Sequence, residues 1–270
     1  MSIFVNQIYL YFKEILYSMK KQTPIIQRTY DKDKYRTLLR RPFAHRGVHN
    51  QYPENSLPAF EKAIELRLGI ELDIHLTNDN QLVVFHDDNL LRMTGADEFI
   101  KFLNYEQIKI YKLNDTDCTI PLLKDVLNIV KGQVPILIEI KTNNNMKKLV
   151  PILKQELEQY KGEVFIQSFN PFALRRCYKA MPNILRGQLS SFFAHDHLKF
   201  YKKLPIKKLF FKNFAHIDFV SYNLENLPNK YVNKTDVPIL AWTVKTEEDY
   251  KKAKLNANNM IVDNIEVLKL

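Results

Sequence analysis

From residue 43 onward, short β-rich runs alternate with helical patterns, and that alternation constrains the fold more than any other feature of the chain. Eight runs qualify as core strands: FAHRG, GIELDIHLT, PILIEIK, VFIQSF, ILRGQLS, IDFVSYN, PILAWTV and NMIVDNI. Between the first two lies SLPAFEKAIELR, whose Leu57, Phe60, Ile64 and Leu68 recur at helical spacing, with Ser56 as N-cap and Pro58 in the first turn. A hairpin at NDN leads from GIELDIHLT into QLVVFH, since Asn78, Asp79 and Asn80 tolerate left-handed backbone. LLKDVLNIV reads as a further helix. Eight strands joined mostly by helices predict an α/β fold, a (β/α)8 TIM barrel, whose chemistry collects at the C-terminal strand ends. The 270 residues suit one such barrel. The competitor is a doubly wound open sheet, but no glycine-rich phosphate loop follows any strand, which argues against a nucleotide-binding form.

Alternate strand residues face the same way. GIELDIHLT therefore aligns Glu71, Asp73 and His75, and PILIEIK aligns Glu139 with Lys141, where a purely structural strand would carry residues like Leu137. Inward charges are costly unless they hold something. Three carboxylates make a nest for a hard divalent cation, Ca²⁺ or Mg²⁺; a buried ion-pair network using Lys141 and Arg46 is the alternative. His45 and His86 end strand-like runs on either side of the acidic strand, and two imidazoles can act as general base and general acid across one displaced oxygen. Arg46 would clamp a phosphate or carboxylate. Trp242, the single tryptophan, stands at a strand end and could wall a pocket or simply pack; Gln167 and Tyr222 occupy similar positions. His75, His195, His197 and His216 read as structural or surface residues.

A net charge of +10 favours an anionic partner without naming it. Cys118 and Cys177 have no metal-ligand spacing and suggest no disulfide framework, so a reducing cytoplasm is the simplest location. Residues 1–40 read as an amphipathic and basic N-terminal extension. Phe4, Ile8, Phe12, Ile15 and Met19 form a helical stripe too interrupted to span a bilayer, and it would either cover the barrel or lie on an anionic membrane surface. Within the Lys- and Phe-rich stretch 192–214, the cationic helix region Lys199 to Lys212 reads as a solvated basic face with its aromatics packed beneath a helix, and no nucleic-acid motif accompanies it.

The run HRG, Glu54-Asn55-Ser56 with Phe60 and Ala63, then Glu71-x-Asp73, Thr77, Val83-Val84, His86-Asp87 and Arg92-x-Thr94-Gly95 resembles the glycerophosphodiester phosphodiesterase family. IEIK, QSF, AWTV and IVDN match in order, so the likeness spans about residues 43 to 265. The resemblance implies a barrel domain over 41–270 with a small insertion after the second strand, here Asp87 to Thr119. It implies His45 and His86 as the acid/base pair, Glu71, Asp73 and Glu139 on a divalent cation, Arg46 and Lys141 on the phosphate, and Glu54 near the metal and first histidine. The expected reaction is hydrolysis of a glycerophosphodiester to an alcohol and sn-glycerol 3-phosphate, with lysophospholipase D-like activity as the alternative. Peripheral contact with the inner membrane face is expected, and no obligate protein partner. The chain departs from the family at Asn80 for a turn glycine, at Ser56 for a commoner threonine, and at Asn258-Asn259, where a glycine-containing turn is usual.

Overall fold

The computed structural model describes residues 30–193 and 200–269. Strands β1 (Phe43–Ala44), β2 (Gly69–Leu76), β4 (Ile136–Ile140), β5 (Val164–Ser168), β6 (Arg186–Ser190), β7 (Phe219–Asn223), β8 (Ile239–Val244) and β9 (Asn259–Val262) pair in parallel, each with the next. β1 pairs with both β2 and β9, which closes the barrel. The eight expected core strands are therefore all present. β3 (Leu82–Val84) is the return arm of the expected hairpin, antiparallel to β2, with Asn80 at φ 60 in its turn.

Period-two alternation sorts each strand. On β4, Ile136, Ile138 and Ile140 face the helices, as Ile70, Leu72 and Ile74 do on β2. The opposite faces turn into the barrel. Its lower interior is a layer of Phe43, Leu137, Phe165, Phe219, Leu240 and Ile261. Phe219 fits only because β6 offers Gly187 beside it, where an added Cβ would lie 2.1 Å from the ring.

Helix α1 (Lys32–Arg40), capped by the Asp31 carboxylate, closes the lower mouth with Tyr35 and Leu38. Part of the stretch read as a basic N-terminal extension thus belongs to the barrel's packing. Asn259 donates to the carbonyls of Leu38 and Arg41, and Asn258 accepts from the Ile239 N–H, so the two asparagines that replace a glycine turn tie α1 and β8 to β9. Residues 1–29, with the amphipathic stripe, lie outside the described residues. Among those described, no helix is long and apolar enough to cross a membrane.

Helix α2 (Leu57–Glu65) follows β1, with Ser56 Oγ accepting from the Ala59 N–H. The insertion after β3 contains the short helices α3 (Leu91–Thr94) and α4 (Tyr105–Ile108) and a core of its own built on Phe85, Leu90, Met93, Ile100 and Ile120. The outer ring continues with α5 (Leu123–Val130), α6 (Met146–Glu158), α7 (Pro171–Ala180), α8 (Phe200–Lys207), α9 (Lys212–Ala215) and α10 (Glu247–Asn256). One expectation fails here. The aromatics of the cationic region Lys199 to Lys212 are not all packed beneath a helix: Phe210 is 76% exposed, because it falls in the bend between α8 and α9.

Candidate active site

The upper interior of the barrel is polar. Glu71 and Asp73 on β2 and Glu139 on β4 are buried, and one oxygen from each lies within 4.8 Å of the others. Asp73 pairs with Glu139 in the β2–β4 register, so strand geometry alone sets them side by side. Lys141 Nζ bridges Asp73 at 3.1 Å and Glu139 at 2.9 Å. Burial opposes charge on Asp73, yet Lys141, Arg46 and an Asn55 hydrogen bond of 2.9 Å hold its carboxyl well below the usual range. Among the described residues, no lysine pairs with Glu71. Burial and the charges of Asp73 and Glu139 push it well above the ordinary carboxylate value, although Gln167 donates to it at 3.1 Å and is itself fixed by Ser221 at 2.7 Å.

β1 ends in a strained turn that serves this floor. Arg46 adopts φ 53, costly for a residue with a side chain, and its backbone N–H reaches Glu71 at 3.1 Å. Gly47 follows at φ +79, where an added Cβ would lie 2.8 Å from Ala59 backbone, so glycine is required. The Arg46 guanidinium bonds Glu54 at 2.9 Å and lies 3.5 Å from Asp73. Its Nε finds no hydrogen-bond partner among the described residues.

Two histidines face the same cleft, each held through Nδ1. His45 meets Asp263 at 2.5 Å, and His49 Nε2 reaches the same oxygen at 2.9 Å. His86 meets Asp87 at 2.5 Å. Arg92 then joins Asp87, at 2.6 Å, to Glu54, at 2.5 Å, so one chain of ion pairs connects His86 through Glu54 to Arg46. Burial lowers the pKa of His45 and outweighs its hydrogen bond to Asp263. His45 and His49 together hold Asp263 far below the ordinary carboxylate value against its own burial.

The cleft measures about 400 Å³ and is walled on its far side by Phe169 and Trp242, whose rings meet edge to face at 5.8 Å. The indole Nε1 is buried and has no acceptor among the described residues. All nine expected residues, His45, His86, Arg46, Lys141, Trp242, Glu71, Asp73, Glu139 and Glu54, thus gather in one site. Gln167 joins them, whereas Tyr222 turns outward and donates to the Lys207 carbonyl. His75 is structural, bonded to the His86 carbonyl at 3.1 Å. Sequence reading passed over His49 and gave no role to Asn55, Asp87, Arg92 or Asp263, although these four stand in the matched motifs. Asp263 carried a usable signal, being an acid just past the last strand.

The acidic floor suits a hard divalent cation. Its donors are all carboxylate oxygens, and their like charges are incompletely balanced by Lys141 and Arg46. A closed parallel barrel with such a floor and two carboxylate-held histidines at its C-terminal rim has the equipment of a hydrolase acting on an anionic ester. The chain belongs to the glycerophosphoryl diester phosphodiesterase family, whose model matches residues 45–267. It is similar to a glycerophosphodiester phosphodiesterase of Caldanaerobacter subterraneus, at 29% identity over 83% of this chain and 94% of that one. It also resembles a lysophospholipase D of Rattus norvegicus, at 34% identity over 56% of this chain and 52% of that one. The fold matches a phosphodiesterase of Oleispira antarctica solved with the product sn-glycerol-3-phosphate, with a TM-score of 0.73 at 20% identity over 85% of this chain and 97% of that one.

Proposed function

We propose that this protein hydrolyses glycerophosphodiesters to an alcohol and sn-glycerol 3-phosphate. One observation carries the reading: two histidines, each fixed by a carboxylate at Nδ1, face a cleft floored by three carboxylates, an arginine and a lysine. With Nδ1 engaged, Nε2 is the nitrogen available for proton transfer. Burial favours the neutral form of His45, which suits it to accept the proton of the attacking hydroxyl or water, while His86 donates one to the leaving alkoxide. Arg46 and Lys141 bind the phosphoryl oxygens, and Trp242 walls the leaving group. A divalent cation, Ca²⁺ or Mg²⁺, held by Glu71, Asp73 and Glu139 would neutralise charge on the phosphoryl group. The product carried by the Oleispira antarctica structure supports the substrate class.

The likeness to a lysophospholipase D favours a second reading, in which the aromatic wall admits a lysophospholipid. Turnover of glycerophosphocholine beside lysophosphatidylcholine, each with and without EDTA, separates the two. Chelator-sensitive release of glycerol 3-phosphate supports the first reading; turnover of the lysolipid alone supports the second, and no turnover of either defeats both. We further read the protein as a cytoplasmic enzyme working peripherally at the membrane.

A further inference from the structure

Among the described residues outside the cleft, a cluster of exposed aromatic rings stands where α7 meets the bend between α8 and α9. Phe172, Phe210 and Phe214 are 57%, 76% and 42% exposed. They are not scattered. The Phe172 ring lies 5.8 Å from Phe211 and 5.3 Å from Phe214, and Phe210 lies 5.3 Å from Phe211. A lone exposed aromatic needs no explanation, but three exposed rings joined through Phe211 form a patch that water does not favour.

Charge identifies the occupant. Among the described side chains from Lys203 to His216 the chain carries four lysines, Lys203, Lys207, Lys208 and Lys212, and no acidic residue, and α7 adds Arg175, Arg176 and Lys179, again without an acid. The Arg175 guanidinium lies 5.4 Å from the Phe214 ring centroid and donates to the Phe214 carbonyl. A second copy of this face would set cation against cation. The chain's own N-terminal segment, with Lys13, Lys20 and Lys21, is no better matched. A layer with anionic groups outside and hydrocarbon inside complements both components.

The geometry points to a docking surface for anionic lipid, formed by Phe172, Phe210 and Phe214 with the surrounding lysines and arginines. Its position connects it to the cleft. α7 starts at Pro171, just beyond the C-terminal end of β5, and Phe169 in that short link lines the cleft. Docking through Phe172 therefore brings the substrate-facing rim toward the bilayer. The surface does not depend on the proposed substrate.

Cosedimentation of the full-length protein with phosphatidylglycerol-containing and pure phosphatidylcholine vesicles tests it, using wild type, F172S/F210S/F214S and, for the N-terminal segment, F4S/F12S. The patch variant changes only exposed side chains, and an unchanged thermal midpoint verifies its fold. We expect its partitioning onto phosphatidylglycerol vesicles to fall at least tenfold while turnover of soluble glycerophosphocholine stays at the wild-type level. Undiminished partitioning of that variant overturns the proposal, including the case in which F4S/F12S alone abolishes binding. So does a wild-type dimer that the patch substitutions convert to monomer without affecting lipid binding. If wild type binds vesicles through the patch yet turns over no glycerophosphodiester, the docking stands and the substrate reading falls.

Discussion

His45 and His86 are the two side chains on which the proposed chemistry most directly depends. Removing either imidazole should lower turnover of glycerophosphocholine by about 10² or more with little change in thermal midpoint, since general acid or base catalysis contributes roughly 10²–10⁴-fold. Near-normal turnover in H45A or H86A would remove that residue from the pair. A finer test uses Asp263, whose hydrogen bond raises the His45 pKa while burial lowers it more. The acid limb of kcat/KM should therefore lie below the ordinary imidazole value. In D263N, with the raising contact gone, that limb should move further down as turnover drops; an upward or absent shift in the pH profile would contradict the assignment. Most of the site was legible because strand periodicity alone groups Glu71 with Asp73 and Glu139 with Lys141. Asp263 and His49 were harder to read, because their partner is reached only when the first and last strands meet.

Helix α6 illustrates how an element carries strain away from the site. Burial pushes Glu156 up to about 7, with Lys124 opposing and Asp125 adding to the shift. A carboxyl whose folded pKa exceeds its unfolded one stabilises the protein at low pH, and that contribution is lost as pH rises from about 4.5 through about 7. E156Q should therefore be more stable than wild type at pH 8, by about 1–2 kcal/mol after allowance for partial solvent screening, and nearly equal to it at pH 4. Denaturant midpoints at the two pH values check this; equal effects at both would place the cause elsewhere. Strand and hairpin elements were readable from alternation and turn chemistry. The docking of α1 was not, because its basic residues mask the buried Tyr35 and Leu38. Nor was the exposure of Phe210 and Phe214, because local sequence does not reveal where a helix will break.

For the molecule as a whole, a cation held by the acidic floor, as proposed above, would tie stability to a ligand. A cation that binds only the folded state adds about 2.7 kcal/mol when present at 100 times its Kd. Ca²⁺ or Mg²⁺ should therefore raise the thermal midpoint of the demetallated protein and restore turnover abolished by EDTA, and E71Q should blunt both effects. A midpoint indifferent to either ion, with full turnover in chelator, would show that the carboxylates serve only the ion-pair network. The closure of β9 onto β1 also has a consequence for when the protein can first work. His45 and Asp263 stand 218 positions apart, each just past the end of one of the two strands that form the seam. An open sheet of the first seven barrel strands would carry the acids and both histidines yet leave His45 without its carboxylate. Catalytic competence should thus arrive late, with the last strand emerging from the ribosome and completing the ring, so that turnover during refolding would act as a clock for the final pairing step.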